Sequence, residues 1–240
     1  MLDVGCGPGK LVFELAIKYC SSQLEATPIH ITATDVADGM LDQLNIRLQE
    51  DEMLQPFASN ISTVQMDGRE LDKIEDASVD VVGSNFGLSI FPHRERGWQS
   101  AHRVLRDGGV LFATAWDYQS ANVVWGDRLA NMYNTVAPNL ETGPRPLVSE
   151  AAATDENRIA KELKAAGFRN VKAVKTTHTI VEDFGTVVSA IVGNPTFLDT
   201  KDTVAIILQH LASSKMTSER GTAPEVAVFD MIAYTFVASK

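Results

Sequence analysis

What most constrains this chain is written in its first ten residues. Leu2-Asp3-Val4 is a short apolar run holding one acid, and glycines then alternate through Gly5-Cys6-Gly7-Pro8-Gly9-Lys10. Three glycines on alternate positions favour neither a strand nor a helix, and helical spacing resumes directly after them. The pattern is a strand, a tight loop and a helix, the opening unit of a nucleotide-type α/β site. Right-handed crossovers in such a fold place the site at the carboxyl ends of the strands.

The rest of the first half keeps the alternation. Residues 1–4 read as a strand stub, and 29–34, 61–66, 79–84 and 110–115 as further strands. Residues 10–19 read as a helix with Leu11, Phe13, Leu15 and Ala16 at mixed spacing. Residues 38–49 form a second helix with Met40, Leu41, Leu44 and Leu48 on one face. Residues 94–105 form a third, stopped by Asp107-Gly108-Gly109. In the second half, 121–136 and 155–166 read as helices, 170–181 as a long strand and 185–215 as helical or mixed. Residues 225–239 read as a last strand pairing antiparallel with 170–181. The intervening 182–222 is too long for a hairpin loop and is expected to carry helices over the sheet. The fold class is α/β: a Rossmann-like, doubly wound, mostly parallel seven-stranded sheet with an antiparallel last strand, in three layers. One domain is expected over 1–240, with a cofactor-binding half (1–118) and a substrate-side half (119–240).

Composition removes several function classes. The 240 residues are 45% hydrophobic and 22% charged, enough for one sizeable core. A net charge of −10 disfavours nucleic acid and anionic membranes as partners. Arg94, Arg96, Arg103 and Arg106 share a helix with Glu95 and Asp107 and read as a solvated face. The two cysteines, Cys6 and Cys20, have no metal-ligand spacing, and reduced thiols in a cytoplasmic protein are the default. No apolar run is long enough to span a membrane. The sequence sets no oligomeric state.

The loop does not fit a dinucleotide fingerprint, whose third glycine comes one residue later, and no phosphate-binding G-K-[ST] is present. With Asp3 ahead of it, the G-x-G-x-G form resembles the loop of the class I S-adenosylmethionine-dependent methyltransferases. That ligand has no phosphate; its ammonium suits a nearby acid, and close backbone approach suits the rest. More passages match in order. Asp35, after Thr34, stands where a carboxylate accepts the ribose hydroxyls, and Asp35-Val36-Ala37-Asp38-Gly39-Met40-Leu41 resembles the family's D-x-S-x-x-M-L. Met66-Asp67-Gly68 resembles the acidic turn that meets the adenine amino group. Asp80-Val81-Val82-Gly83-Ser84-Asn85-Phe86-Gly87 resembles the strand ending beneath the methionine moiety. Arg103-Val104-Leu105-Arg106-Asp107-Gly108-Gly109 resembles R-V-L-K-P-G-G, with aspartate in place of proline, and Ala166-Gly167-Phe168 resembles the A-G-F before the sixth strand. The match covers residues 2–117 well and the rest loosely. It implies a cofactor set of Asp3, Gly5, Cys6, Gly7, Gly9, Asp35, Val36, Met40, Asp67, Gly68, Asn85 and Phe86. Singly, each has a plainer reading: a structural turn, a helix cap at Asp35, a turn former at Asp67.

The resemblance implies methyl transfer to a small-molecule acceptor by in-line displacement, in which alignment in a dry pocket is the protein's main contribution. His93, after Phe91-Pro92, reads first as a helix-start residue and second as a candidate base. His102 sits on a helix, and His30, His178 and His210 lie away from the strand ends. Trp116 and Tyr118 are candidates to line the acceptor pocket, or simply to pack the following helix. The [DN]-P-P-[FYW] of nucleic-acid amino-methylating enzymes is absent, as are the paired-glutamate loop of protein arginine methyltransferases and the Asp-Asn pair that binds magnesium in catechol-type enzymes, so no metal is expected. Asn85-Phe86-Gly87-Leu88 resembles quinone-ring C-methyltransferases, and related O- and N-methyltransferases share the layout. Two other classes stand beside this reading: a nicotinamide oxidoreductase, and a fold-retaining protein that binds the cofactor weakly and acts as an interaction module. The family usually carries a helix and a longer first strand before this loop, so a truncated chain lacking that helix is expected.

Overall fold

The computed structural model describes residues 1–20, 29–120, 154–183 and 226–240. The expected helices at 121–136 and 185–215 and the 182–222 segment lie in whole or nearly so outside the described residues. Seven strands form one sheet: β1 (Leu2–Val4), β2 (Ile31–Asp35), β3 (Ile61–Gln65), β4 (Val79–Ser84), β5 (Leu105–Trp116), β6 (Arg169–Asp183) and β7 (Val226–Ser239). Their order is β3-β2-β1-β4-β5-β7-β6. β1 is central, pairing in parallel with β2 (Asp3 beside Ala33) and with β4 (Asp3 beside Gly83). β7 is the antiparallel strand. As β5 advances from Gly109 to Asp117, its hydrogen-bonded partners run back from Lys240 to Ile232. As β6 advances from Asn170 to Thr179, its partners run back from Ser239 to Asp230.

The helices are α1 (Lys10–Leu15), α2 (Asp38–Glu50), α3 (Arg94–Val104) and α4 (Glu156–Ala165). Two apolar clusters build the core. One gathers Leu2, Val4, Val82 and Leu111 of the sheet with Trp98 and Ala101 of α3 and Ile159 and Leu163 of α4. The other joins Ile31 and Ala33 of β2 to Val12 and Phe13 of α1 and Leu41, Leu44 and Leu48 of α2. This is the expected helix-sheet-helix sandwich. Because strand side chains alternate, Leu2 and Val4 enter the first cluster and Asp3 turns the other way. Asp155 caps α4, its carboxylate accepting from Asn157 N at 2.8 Å and Arg158 N at 2.9 Å. Asp155→Ala is expected to cost about 1 kcal/mol in denaturant melts.

Several sequence expectations are corrected. The first helix is α-helical only to Leu15 and continues as a π-helical turn over Ala16–Cys20. Met40 is 39% exposed and leaves the buried face to Leu41, Leu44 and Leu48. α3 ends at Val104, ahead of the glycines. Its last carbonyls, on Arg103 and Val104, accept from Ala77 N and Ser78 N, a stop made by tertiary partners. Asp107-Gly108-Gly109 instead lie inside β5 as a bulge: Val79 pairs with Leu105, but Val81 pairs with Val110. The arginines are not one solvated face. Arg94 is buried, Arg106 lies on β5, and Arg96, Arg103 and Arg106 pair with Glu70, Asp76 and Asp80.

The chain forms two compact units. The first comprises Met1–Ala115, Thr154–Lys175 and Tyr234–Lys240; the second comprises Trp116–Ala153 and Thr176–Ala233.

Candidate active site

The first unit brings the carboxyl ends of β1, β2, β3 and β4 together, and the residues expected there sit on the turns that follow them. Asp3 is fully buried on β1, and among the described residues neither of its carboxylate oxygens has a hydrogen-bond partner. A buried polar atom without a partner costs free energy, so its persistence needs a reason. Burial, reinforced by the nearby charge of Asp35, pushes its carboxyl up to about 7. Cys6 is also buried; burial and the charges of Asp3 and Asp35 push its thiol up to about 12. That thiol is inert as a nucleophile.

Gly5 N and Cys6 N donate to Thr34 O at 2.8 and 2.9 Å, which folds the loop back over β2. Gly7 has φ +54, and a methyl built on it meets nothing within 4 Å. The turn requires a left-handed residue there and leaves open space above it. Gly9 (φ +88) starts α1. Asp35 ends β2 half-buried. One of its oxygens accepts from Gly7 N at 2.9 Å and the other from Ala37 N at 2.9 Å. Each carboxylate oxygen has a second lone pair, so the group can still accept two hydroxyls. Val36 and Met40, exposed beside it, offer apolar surface.

Asp67 follows β3 and is gripped by Arg69. The Arg69 backbone N–H and Nε donate to Oδ1 at 2.8 and 3.0 Å, and the guanidinium reaches Oδ2 at 2.5 Å. These bonds hold the carboxyl below its usual range. Gly68 is buried against Val4 and Phe91. After β4, Ser84 Oγ donates to Val4 O at 2.8 Å and accepts from Leu88 N at 2.7 Å. A methyl built on Gly87 would lie 2.5 Å from Val4 O, so only glycine allows this turn to approach β1 so closely. Asn85 is exposed and Phe86 half-buried with φ 56.

His93 precedes α3 with φ 54, exposed, its Nδ1 3.6 Å from Glu95. His102 packs edge-on against Phe168, its ring centroid 5.1 Å away. Burial lowers its pKa, helped by the charges of Lys240 and Arg169. Trp116 and Tyr118 are half-buried residues of the second unit. Two residues at the strand ends carry no sign in the sequence that would single them out. Arg69 escapes notice because an arginine after an acidic turn has no local signature. Thr114 bonds Asn85 and Phe86, and its only signal is a hydroxyl near the end of a strand.

A buried, unpartnered carboxylate, a glycine turn with open space above it and a half-satisfied second carboxylate together suit a small ligand with an ammonium and a diol. The methyltransferase-domain family matches residues 2–113. Over these residues the chain is similar to the class I methyltransferase domain. The cofactor of that class is S-adenosylmethionine. The chain is 27% identical over 194 residues to the demethylmenaquinone methyltransferase of Clavibacter sepedonicus, covering 75% of this chain and 70% of that protein. It is 25% identical over 142 residues to human arsenite methyltransferase, covering 54% of this chain. The chain spans 36% of the length of that human protein. The YcgJ protein of Bacillus subtilis has the same fold, with a TM-score of 0.65 at 14% identity, over 100% of this chain and 90% of that one. Among the described residues no helix is long and apolar enough to cross a membrane.

Proposed function

We propose that this protein transfers the methyl group of S-adenosylmethionine to a small-molecule acceptor. The observation that carries the reading is the partnerless buried carboxylate of Asp3 beneath a glycine loop whose outer face is open at Gly7. When bound, the cofactor supplies a methyl carbon on a sulfonium: as an acceptor lone pair forms the new bond, the carbon–sulfur pair stays on sulfur as a neutral thioether. The chain's own groups do the rest. Asp3 meets the ammonium, Asp35 accepts the ribose hydroxyls on its remaining lone pairs, and Val36 and Met40 cover a face of the adenine. Gly5, Gly7 and Gly9 allow the backbone to approach. Asp67, held by Arg69, lies at the adenine end. Asn85 and Phe86 border the methyl end, with Trp116 and Tyr118 as candidate acceptor-lining groups. His93, exposed beside α3, is the candidate to receive a proton from an acceptor that must lose one.

Among acceptors, an aromatic or quinol-type ring suits this chain better than trivalent arsenic. A soft centre takes thiolates, and among the described residues the free cysteine, Cys6, is buried with its thiol pushed up to about 12.

Calorimetry with S-adenosylmethionine and, separately, NADH tests the reading. We expect the first to bind and the second not to. Gly7→Val fills the open space and strains a left-handed position, and Asp35→Ala removes the diol acceptor; each is expected to weaken cofactor binding at least tenfold, about 1.4 kcal/mol. Unchanged affinity in both variants would overturn the proposal.

A further inference from the structure

The turn after β4 contains a hydrogen-bond relay. Thr114 Oγ1, on β5, lies 2.8 Å from Phe86 N and 3.0 Å from Asn85 Oδ1. The Phe86 N–H can only donate, so the threonine oxygen accepts there. In the structure the hydroxyl proton goes to Asn85, whose amide presents its oxygen to Thr114. The carbonyl of Asn85 is turned toward Thr114 and its NH2 is turned away. Among the described residues that NH2 has no hydrogen-bond partner, and Asn85 is exposed.

The relay is held firmly. Ser84 and Ala113 are paired across β4 and β5, which brings Thr114 alongside Asn85. Phe86 occupies a left-handed conformation (φ 56) that a bulky residue adopts only when its surroundings impose it. Ser89 Oγ donates to Thr114 O at 2.9 Å, a second tie between the turn and β5. On its other side the turn lies against the glycine loop: a methyl built on Gly5 would sit 3.0 Å from the α-carbon of Gly87. Asn85 therefore projects from the carboxyl end of β4, beside the loop that the proposed function assigns to the cofactor.

We propose that Asn85 offers its two N–H groups to an oxygen of the acceptor, and that it selects acceptors bearing a phenol, enol or quinol oxygen at or conjugated to the methylated atom over amines. This rests on the methyltransferase reading. An amine nucleophile carries N–H groups of its own and needs an acceptor facing it; the Asn85 oxygen is turned toward Thr114, and the face it presents outward is its NH2. An oxygen with lone pairs and growing negative charge takes the donors directly, and the charged form takes them most strongly. Thr114 is the positioning residue, since it keeps the amide from turning over.

The test uses the whole chain with matched ring pairs, hydroquinones or phenols against anilines of the same ring. Cofactor binding is first measured by calorimetry. Acceptor binding is then measured by calorimetry with S-adenosylhomocysteine present, and turnover as kcat/KM. Wild-type protein is expected to favour the oxygen member of each pair. Asn85→Asp exchanges donors for acceptors at nearly constant shape. It is expected to lower affinity and kcat/KM for the phenolic member about 10- to 100-fold, well beyond any rise in the cofactor Kd. Thr114→Val releases the amide and is expected to lose part of the preference, whereas Thr114→Ser keeps it. The proposal is overturned by a wild-type preference for anilines, or by a phenol-to-aniline ratio unmoved in Asn85→Asp. It is also overturned by a cofactor Kd that rises as much as kcat/KM falls, or by wild-type protein that binds the cofactor but neither ring class. Failure of wild-type protein to bind S-adenosylmethionine at all would instead overturn the underlying reading.

Discussion

Glu162→Ala should destabilise the protein by about 3–5 kcal/mol, a large share of the 5–15 kcal/mol that holds a typical domain. Glu162 on α4 receives Arg94 Nε and an Arg94 terminal nitrogen at 2.8 Å each, and Trp98 Nε1 at 3.0 Å. Arg94 and Trp98 both belong to α3, so one carboxylate joins the two helices. The Arg94 side chain is only 6% exposed. Removing its counter-charge leaves a nearly buried guanidinium, which costs more than the pair itself contributed. The retained bond from Arg94 to Ser89 O, at 3.0 Å, places the expected loss toward the lower end. The pH dependence has a definite sign. Burial pushes the Glu162 carboxyl up, but the hydrogen bonds from Arg94 and Trp98 outweigh it and hold it below 4.5. A carboxylate with a lowered folded pKa stabilises the fold above its unfolded value and loses that contribution as pH falls through the folded one. The gap between wild type and Glu162→Ala in denaturant melts should therefore be full at pH 7 and narrow below pH 4.5. A gap of under 1 kcal/mol at pH 7 would show that the bridge is not what joins α3 to α4.

That bridge also marks what the sequence could not show. Arg94 reads as one of several charges on a helix surface because its partner lies far along the chain, and no local pattern announces a buried pair. The same holds for the end of α3, where Ala77 and Ser78 supply the stop and the downstream glycines shape a bulge in β5. What is readable is local. The strand–glycine–helix opening, Leu41, Leu44 and Leu48 on one face of α2, and the run of β4 follow from period and composition. They mark the strands as far as β5, and the pairing of β7 with β6 bears out the antiparallel last strand. At the site, Asp3 and Asp35 stand out by spacing. The absence of any partner at Asp3, the grip of Arg69 on Asp67 and the relay through Thr114 depend on which strands lie side by side, which emerges only on folding.

Asp3→Asn should make the protein more stable and its cofactor binding weaker at once. The side chain is fully buried with no partner for either oxygen among the described residues, and its carboxyl is raised from 3.8 to about 7, by burial first and by Asp35 second. A raised folded pKa means the folded state holds the proton more tightly than the unfolded one. Stability is then greatest below pH 3.8, falls as pH climbs, and levels off above about 7. At 1.36 kcal/mol for each pH unit across that window, the native aspartate costs about 4 kcal/mol at pH 8. Asparagine carries no charge to bury, so the Asp3→Asn variant should melt at higher denaturant than wild type at pH 8 and about equal it at pH 4. Its amide still lacks partners, which trims the gain. For the cofactor the sign reverses. An ammonium brought against Asp3 favours the ionised carboxyl, so binding by wild-type protein should release a proton and tighten as pH rises through 7, and asparagine should lose about tenfold in affinity at pH 8, some 1.4 kcal/mol. Calorimetry in buffers of different ionisation enthalpy reads the proton release directly. An Asp3→Asn variant no more stable than wild type at pH 8 would mean that Asp3 is already paired in solution; unchanged cofactor affinity would mean that the ammonium binds elsewhere. A fold that keeps an unpaired carboxylate in its central strand gives up stability for a group that only a cationic ligand can satisfy.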